Sequence, residues 1–193
     1  MKQKHIGLLG GIFDPPHIGH CIVAQSILEE FNLHEVIFIP AGNPPHKRKF
    51  TPFALRYQMT QKAIQNNPHF KITDIEDRLS GKTYTIDVIR ALQKESPGVM
   101  YLIIGSDQWN EFETWKTPNK LIELCNIIIA PRPDAVITGL KRRRNKIMIA
   151  HSPLIDISST QVRRKIAREE SIQYLVLPEV LKFIQKRKLY RKT

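Results

Sequence analysis

Short apolar runs alternate with amphipathic segments along this chain. Ile6–Leu9, Val36–Ile39, Val99–Ile104, Ile127–Ile129 and Ile147–Ile149 read as buried strands, and Phe70–Thr73 as a weaker sixth. Between them apolar residues recur at helical spacing. Ile22, Val23, Ile27 and Phe31 share one face over 20–31. Thr51-Pro52 supplies a cap and a first-turn proline, opening a helix to about Gln65. Ile86, Ile89 and Leu92 mark a helix from Thr85 to Lys94, and Thr117-Pro118 repeats the cap signal before Leu121 and Leu124. Ser159–Arg168 and Pro178–Lys188 complete the set. Strands alternating with helices predict an α/β fold: a mostly parallel sheet with right-handed crossovers and helices on both faces. Ligands of such sheets sit beyond the carboxyl ends of strands, so the chemistry is expected in the loops that follow them.

The length, 193 residues, suits one domain over 1–193 with a basic helical part from about residue 158. At 41% hydrophobic and 25% charged residues, the composition excludes a disordered chain, a collagen-like repeat and a disulfide scaffold. The longest apolar run, Val99–Ile104, is far below the ~20 residues of a membrane span. No cleavable leader is expected, because Asp14-Pro15-Pro16 follows the first apolar run at once. Cys21 and Cys125 form no CxxC pair, so a reduced, cytoplasmic protein is expected.

The net charge of +12 matters mainly for where it lies. Residues 1–140 hold 15 Lys/Arg against 14 Asp/Glu, while residues 141–193 hold 15 against 4. Such asymmetry suits an anionic partner. The run Lys141-Arg142-Arg143-Arg144 reads most simply as solvated surface. No aromatics interleave with it, as a groove for single-stranded nucleic acid requires.

The first strand runs into Gly10-Gly11-Ile12-Phe13-Asp14-Pro15-Pro16-His17-Ile18-Gly19-His20 and then a helix. Glycines bring backbone N–H groups close to an anion, and a helix N-terminus favours negative charge. The spacing is not GxGxxG, so hydride transfer with a nicotinamide cofactor is not supported. His17 and His20 can donate to phosphoryl oxygens, or simply cap a tight turn. A metal between them would lack further Cys or carboxylate ligands, and no metal site is expected. Ser158-Ser159-Thr160 precede Gln161-Val162-Arg163; the hydroxyls can cap a helix or bind an anion there, with Arg163 adding a fork. Asp107, after Gly105-Ser106, can serve as an N-cap. No nucleophilic Ser or Cys motif is evident.

His17-Ile18-Gly19-His20 after a first strand resembles the HxGH signature of the nucleotidyltransferase superfamily. Within it the chain resembles the bacterial nicotinate-nucleotide adenylyltransferases, from about Lys4 to Tyr190. The matching blocks are Phe13-Asp14-Pro15 with both histidines; Ile39-Pro40, then Pro44-Pro45-His46-Lys47; Thr83-Tyr84-Thr85; Ile104-Gly105-Ser106-Asp107; Trp115; Arg132-Pro133; Ile157-Ser158-Ser159-Thr160 with Arg163; and Tyr174-Leu175-Val176. The resemblance implies a Rossmann-like fold and transfer of AMP from ATP to nicotinate mononucleotide, giving nicotinate adenine dinucleotide and pyrophosphate in NAD biosynthesis. It implies that ATP is bound by Gly10, Gly11, Ile12, Phe13, His17, His20, Gly105, Asp107, Ser158, Ser159, Thr160 and Arg163. The mononucleotide falls to Lys47, Thr83, Tyr84, Thr85, Trp115 and Lys116. His17, His20, Lys47 and Arg163 are the expected catalytic groups, with His46 a weaker candidate beside Lys47. Mg²⁺ is expected to be held mainly by the ATP phosphates. Neither nucleic acid nor a membrane is an expected partner, and a homo-oligomer is left open. Three positions depart from the family: Ile12 where Thr or Ser is usual, Glu170 where Gly is common, and Lys116 where an aromatic is often found.

Other acceptors would keep the superfamily, among them pantetheine phosphate, nicotinamide mononucleotide or the partner of a cytidylyl transfer. Thr83-Tyr84-Thr85 and Trp115 favour a flat aromatic acceptor. A basic nucleic-acid-binding module is the alternative from another class, but no helix-turn-helix, RRM or zinc signature supports it. Thr85 opens a predicted helix, so its N–H lacks an intrahelical partner and suits a carboxylate better than an amide. Lys116 beside a carboxylate would strengthen that preference; solvent is the plainer place for a lysine.

Overall fold

Strands that are apolar on both faces require a sheet covered on both sides. The computed structural model, which describes residues 3–42, 50–79, 81, 83–133, 135–139 and 146–191, contains such a sheet. Its strands are β1 (His5–Gly11), β2 (Glu35–Pro40), β3 (Phe70–Ile72), β4 (Val99–Gly105), β5 (Asn126–Ala130) and β6 (Ile147–Ile149). All pair in parallel, in the order β3-β2-β1-β4-β5-β6. The helices are α1 (Ile18–Glu30), α2 (Phe53–Ile64), α3 (Ile75–Arg78), α4 (Thr85–Glu95), α5 (Ser106–Asn110), α6 (Pro118–Leu124), α7 (Ser159–Ala167) and α8 (Pro178–Arg187). Lys47, His46 and the run Lys141-Arg142-Arg143-Arg144 lie outside the described residues.

The twofold alternation of each strand separates two cores. Ile6, Leu8, Leu102, Ile104, Ile127 and Ile129 pack with Ile86, Ile89 and Leu92 of α4 and Leu121 of α6. Leu9, Val36, Phe38, Ile103 and Ile128 face the other way, onto Ala24, Ile27 and Leu28 of α1 and Ile64 of α2. A third cluster joins Met59 of α2 to Val162 of α7 and to Val180, Phe183 and Ile184 of α8. The basic C-terminal part is thus seated on α2. Among the described residues no helix is long and apolar enough to cross a membrane.

Local boundaries differ from the expectation in informative ways. Pro52, expected in the first turn of α2, is instead its N-cap. Thr51 is held outside the helix, donating its N–H to Asp14 Oδ2 (3.2 Å) and accepting from Arg56 Nε (2.8 Å). α1 begins at Ile18, two residues before the predicted start, with His17 as its N-cap. α3, α5 and a 3-10 turn over Phe112–Thr114 were invisible to periodicity, being too short to show one.

Spatially the strand order reverses between β1 and β4. Loops leaving the carboxyl ends of those strands diverge to opposite faces of the sheet and open a crevice between them. The loop after β1 is the one that carries the two histidines.

Candidate active site

At Gly10 a Cβ would meet nothing within 4 Å, so bare backbone borders the crevice. The chain then turns at Phe13, whose φ of 51° lies in the left-handed region that disfavours bulky residues. Packing over-determines this conformation. The buried Phe13 ring meets His20 edge-on at 5.0 Å and Phe38 at 5.7 Å. Buried Asp14 accepts from the Tyr190 hydroxyl (2.6 Å) as well as from Thr51. From α7, Arg163 Nη1 donates to the Asp14 carbonyl (2.6 Å) and Ser159 Oγ to the Pro15 carbonyl (2.8 Å). The Ile18 N–H donates to the Leu175 carbonyl (2.9 Å). The turn is therefore clasped by the C-terminal part of the chain.

The imidazoles of His17 and His20 lie 3.7 Å apart between ring centroids. The His17 N–H donates to His20 Nδ1 (3.1 Å), which leaves the hydrogen of a neutral His20 ring on Nε2. His17 Nδ1 is buried without a partner among the described residues. Burial, helped by nearby Arg132, pushes His17 down to about 4. His20 is also well below its usual value, through burial first and then His17 and Arg132. Both rings are neutral at pH 7 in the free protein.

A cavity of about 360 Å³ opens beside them, among the ends of β1, β4 and β5 and the start of α7. All twelve residues expected to bind ATP line it. Several have other employment as well. Ser158 caps α7, accepting from the Gln161 N–H (3.1 Å), while Gln161 Oε1 accepts from the Ser158 N–H (2.7 Å). Thr160 Oγ1 accepts from Arg163 Nη2 (3.1 Å). Asp107 is not the N-cap of α5, a place taken by Gly105; it pairs with Arg132, Nε to Oδ1 3.0 Å. A Cβ on Gly105 would collide with both members of that pair, so the glycine makes room for it.

A second cavity, of about 430 Å³, lies on the other side of the β1 end. Thr83, Tyr84, Thr85, Trp115 and Lys116 line it, five of the six residues expected at the mononucleotide. Tyr84 is the N-cap of α4 and Thr85 its first residue, as the sequence predicts. Lys116 does not simply point to solvent: its Nζ lies 4.0 Å from the Tyr84 ring centroid and 3.4 Å from Asp87 Oδ2. Trp115 packs at 5.4 Å on Phe112, which stacks on Trp109 at 5.3 Å.

Sequence reasoning missed three wall-builders. Arg56 is fully buried and donates to three chain segments: Nε to Thr51, Nη1 to the Ile12 carbonyl (2.8 Å) and Nη2 to the Ala41 carbonyl (2.7 Å). In the sequence it is an ordinary polar position of an amphipathic helix. Glu76 lines the second cavity and accepts from the Gly42 N–H and the Thr83 hydroxyl, both at 3.1 Å. Burial raises its pKa. Its short helix gave no periodic signal. Arg132 did have a signal, in the Arg132-Pro133 block, but no role could be attached to it.

The chain matches the model of the cytidylyltransferase-like family over residues 8–165. It is 39% identical to the "Probable nicotinate-nucleotide adenylyltransferase" of Thermoanaerobacter sp. (strain X514), covering 99% of this chain and 96% of that one. It is 37% identical to the protein of the same name in Thermomicrobium roseum, covering 98% and 92%. In three dimensions it is similar to the Plasmodium falciparum nicotinic acid mononucleotide adenylyltransferase complexed with NaAD, with a TM-score of 0.82 at 24% identity and 97% of each chain covered. The strand order, the histidine-bearing turn and the full-length likeness agree, and the chain belongs to the nicotinate-nucleotide adenylyltransferase family of cytidylyltransferase-like nucleotidyltransferases.

Proposed function

We propose that this chain transfers AMP from ATP to nicotinate mononucleotide, with ATP in the histidine-lined cavity and the mononucleotide in the cavity of Trp115. One observation carries the division: two cavities meet over the same backbone, Gly10-Gly11-Ile12, one walled by phosphate-binding donors and the other by aromatic rings and a helix start. An oxygen of the acceptor phosphate forms a bond to the α-phosphorus of ATP. The bond from that phosphorus to the β-bridging oxygen breaks, and its electron pair leaves with pyrophosphate. No protein nucleophile is needed; positioning and electrostatic stabilisation suffice.

His20 Nε2–H donates to the α-phosphate, and His17 shares the load. Both rings are neutral while the cavity is empty, and a triphosphate raises their proton affinity, so their charge rises with the ligand. Arg163 supplies its remaining donors to the leaving pyrophosphate, and the family resemblance assigns Lys47 to the β- and γ-phosphates. Mg²⁺ fits this donor set only as a companion of the nucleotide, since among the described residues no three of His, Cys, Asp and Glu gather into a cage. It would neutralise triphosphate charge. In the other cavity Trp115 stacks on the pyridine ring, and the N–H of Thr85, which opens α4 and so lacks an intrahelical partner, suits a carboxylate, which accepts only, over a carboxamide. Lys116, already close by on Tyr84, adds a cation.

The test is pyrophosphate release with a panel of acceptors: nicotinate and nicotinamide mononucleotides and pantetheine phosphate. Strong preference for the nicotinate form is expected. Lys116→Ala should narrow the ratio of specificity constants by about tenfold or less, the scale of a half-exposed charge contact. A wild-type ratio near one would remove the nicotinate assignment, and an unchanged ratio in the variant would leave the preference to the backbone.

A further inference from the structure

Two substrates that exchange a phosphoryl group must bring their phosphates together, and the wall at their meeting point must tolerate concentrated negative charge. Six residues line both cavities: Gly10, Gly11 and Ile12 from the end of β1, Ile103 and Ile104 from β4, and Gln108 from α5. Five present only backbone or hydrocarbon. Gln108 alone among the described residues brings a polar side chain to the shared wall. Its carboxamide is half committed: Oε1 accepts from the Gly105 N–H at 3.2 Å. That contact orients the amide and leaves Nε2, with two hydrogens, without a protein partner among the described residues.

We propose that Gln108 is a substrate-contacting residue whose Nε2 donates to the acceptor's phosphate at the junction of the cavities, and to the bridging phosphates of the dinucleotide product. The proposal rests on the reading that the substrates meet there, and not on which ring the acceptor carries. A carboxamide suits the place. It donates to phosphoryl oxygens without fixing a cation between the cavities, and the Gly105 N–H holds its acceptor end. Gly105 thereby links two sides of the machinery: its missing Cβ admits the Asp107–Arg132 pair, and its N–H aims Gln108.

Two substitutions separate this role from simple capping. Gln108→Glu keeps an acceptor for the Gly105 N–H, removes both donors and turns a charge toward the phosphates. Gln108→Met keeps the size and loses acceptor and donors alike. With whichever acceptor the wild-type protein uses, Gln108→Glu is expected to lower kcat/KM by roughly 100-fold or more and Gln108→Met by roughly tenfold, since a hydrogen bond to a charged group is lost in both and repulsion is added in one. The thermal midpoint of the Glu variant should stay at the wild-type value. Near-normal turnover in Gln108→Glu, with Gln108→Met the worse of the two, would reduce the side chain to a cap and overturn the proposal. Should the Glu variant fail to fold, affinity of Gln108→Met for the dinucleotide product, measured by calorimetry, decides it: a tenfold loss supports contact and an unchanged affinity overturns it. If the wild type turns over another acceptor and not nicotinate mononucleotide, the acceptor reading fails separately, and the ranking of the variants remains decisive with the acceptor used.

Discussion

His17 is buried and His20 half-buried beside it, and desolvation favours the uncharged form of both rings. This state has a cost that pH exposes. An unfolded chain protonates its histidines near 6.5, whereas folded His17 takes a proton only at about 4, and His20 is likewise displaced downward. The stability held in this pair is complete above pH 6.5 and is lost as pH falls toward 4, where only the unfolded chain can bind the protons. The urea midpoint of the ligand-free protein is expected to drop over that interval, and His17→Gln should flatten the drop. A midpoint that does not move in the wild type would show that the rings are not desolvated in solution. In the reaction we propose, the same residues act as donors. His20→Ala is expected to fold and to lose turnover by on the order of 10²–10³, the usual scale for one donor aimed at developing charge. The loss should fall on kcat more than on ATP affinity. A folded variant with near-normal turnover would move the charge-stabilising role elsewhere.

Elements deliver these residues because a few buried polar groups tie them together. Arg56 rises from α2 and gathers the turn after β1, the end of β2 and its own lead-in through carbonyl oxygens. Among the described residues no carboxylate bonds it directly; the opposing charge that acts on it most is Asp14, itself committed to Thr51 and Tyr190. Replacing Arg56 by Leu leaves buried carbonyls unpaired, and a stability loss on the order of 3 kcal/mol is expected from chemical denaturation. Arg56→Lys should recover little, because one ammonium cannot span three segments as a guanidinium does. An unchanged midpoint in both variants would mean that apolar packing around Phe13 is enough to set the turn.

Taken as a whole, the molecule carries its positive charge asymmetrically, yet the site draws on little of it. Of the basic residues in the last 53, Arg163 lines the histidine-lined cavity, whereas Arg164, Lys165 and Arg168 border a separate groove on the other side of α7. Lys165 and Arg168 already have Glu170 as a neighbour, 2.7 and 3.9 Å away, so this departure from the family's glycine gives two cations a local partner. Charges beyond a Debye length, about 10 Å at 0.1 M salt, act weakly on a bound nucleotide. The run Arg142-Arg143-Arg144 reads in the sequence as solvated surface, so replacing all three by serine is expected to change neither Michaelis constant appreciably in steady-state kinetics at physiological salt. Abolished activity would show that the run reaches the substrates.

Local order was legible in the chain because it is local. Apolar alternation and length separated the parallel strands from the helices, and the glycines and histidines after the first strand marked the turn that lines the first cavity. Helices of four or five residues escaped, since a period needs several turns to appear. The convergence of the site was decided only by the tertiary structure. Ser159 meets Pro15 across 144 positions and Arg163 meets Asp14 across 149, distances over which no periodic pattern carries information. Burial was decided there too. Arg56 and Glu76 look in sequence like any surface charge, and they become wall-builders because residues distant in sequence close around them, Ile12 and Ala41 on Arg56 and Gly42 and Thr83 on Glu76. The sharing of one wall by two cavities, and with it the place of Gln108, has the same origin: it exists only where β1 and β4 lie side by side with their loops parting.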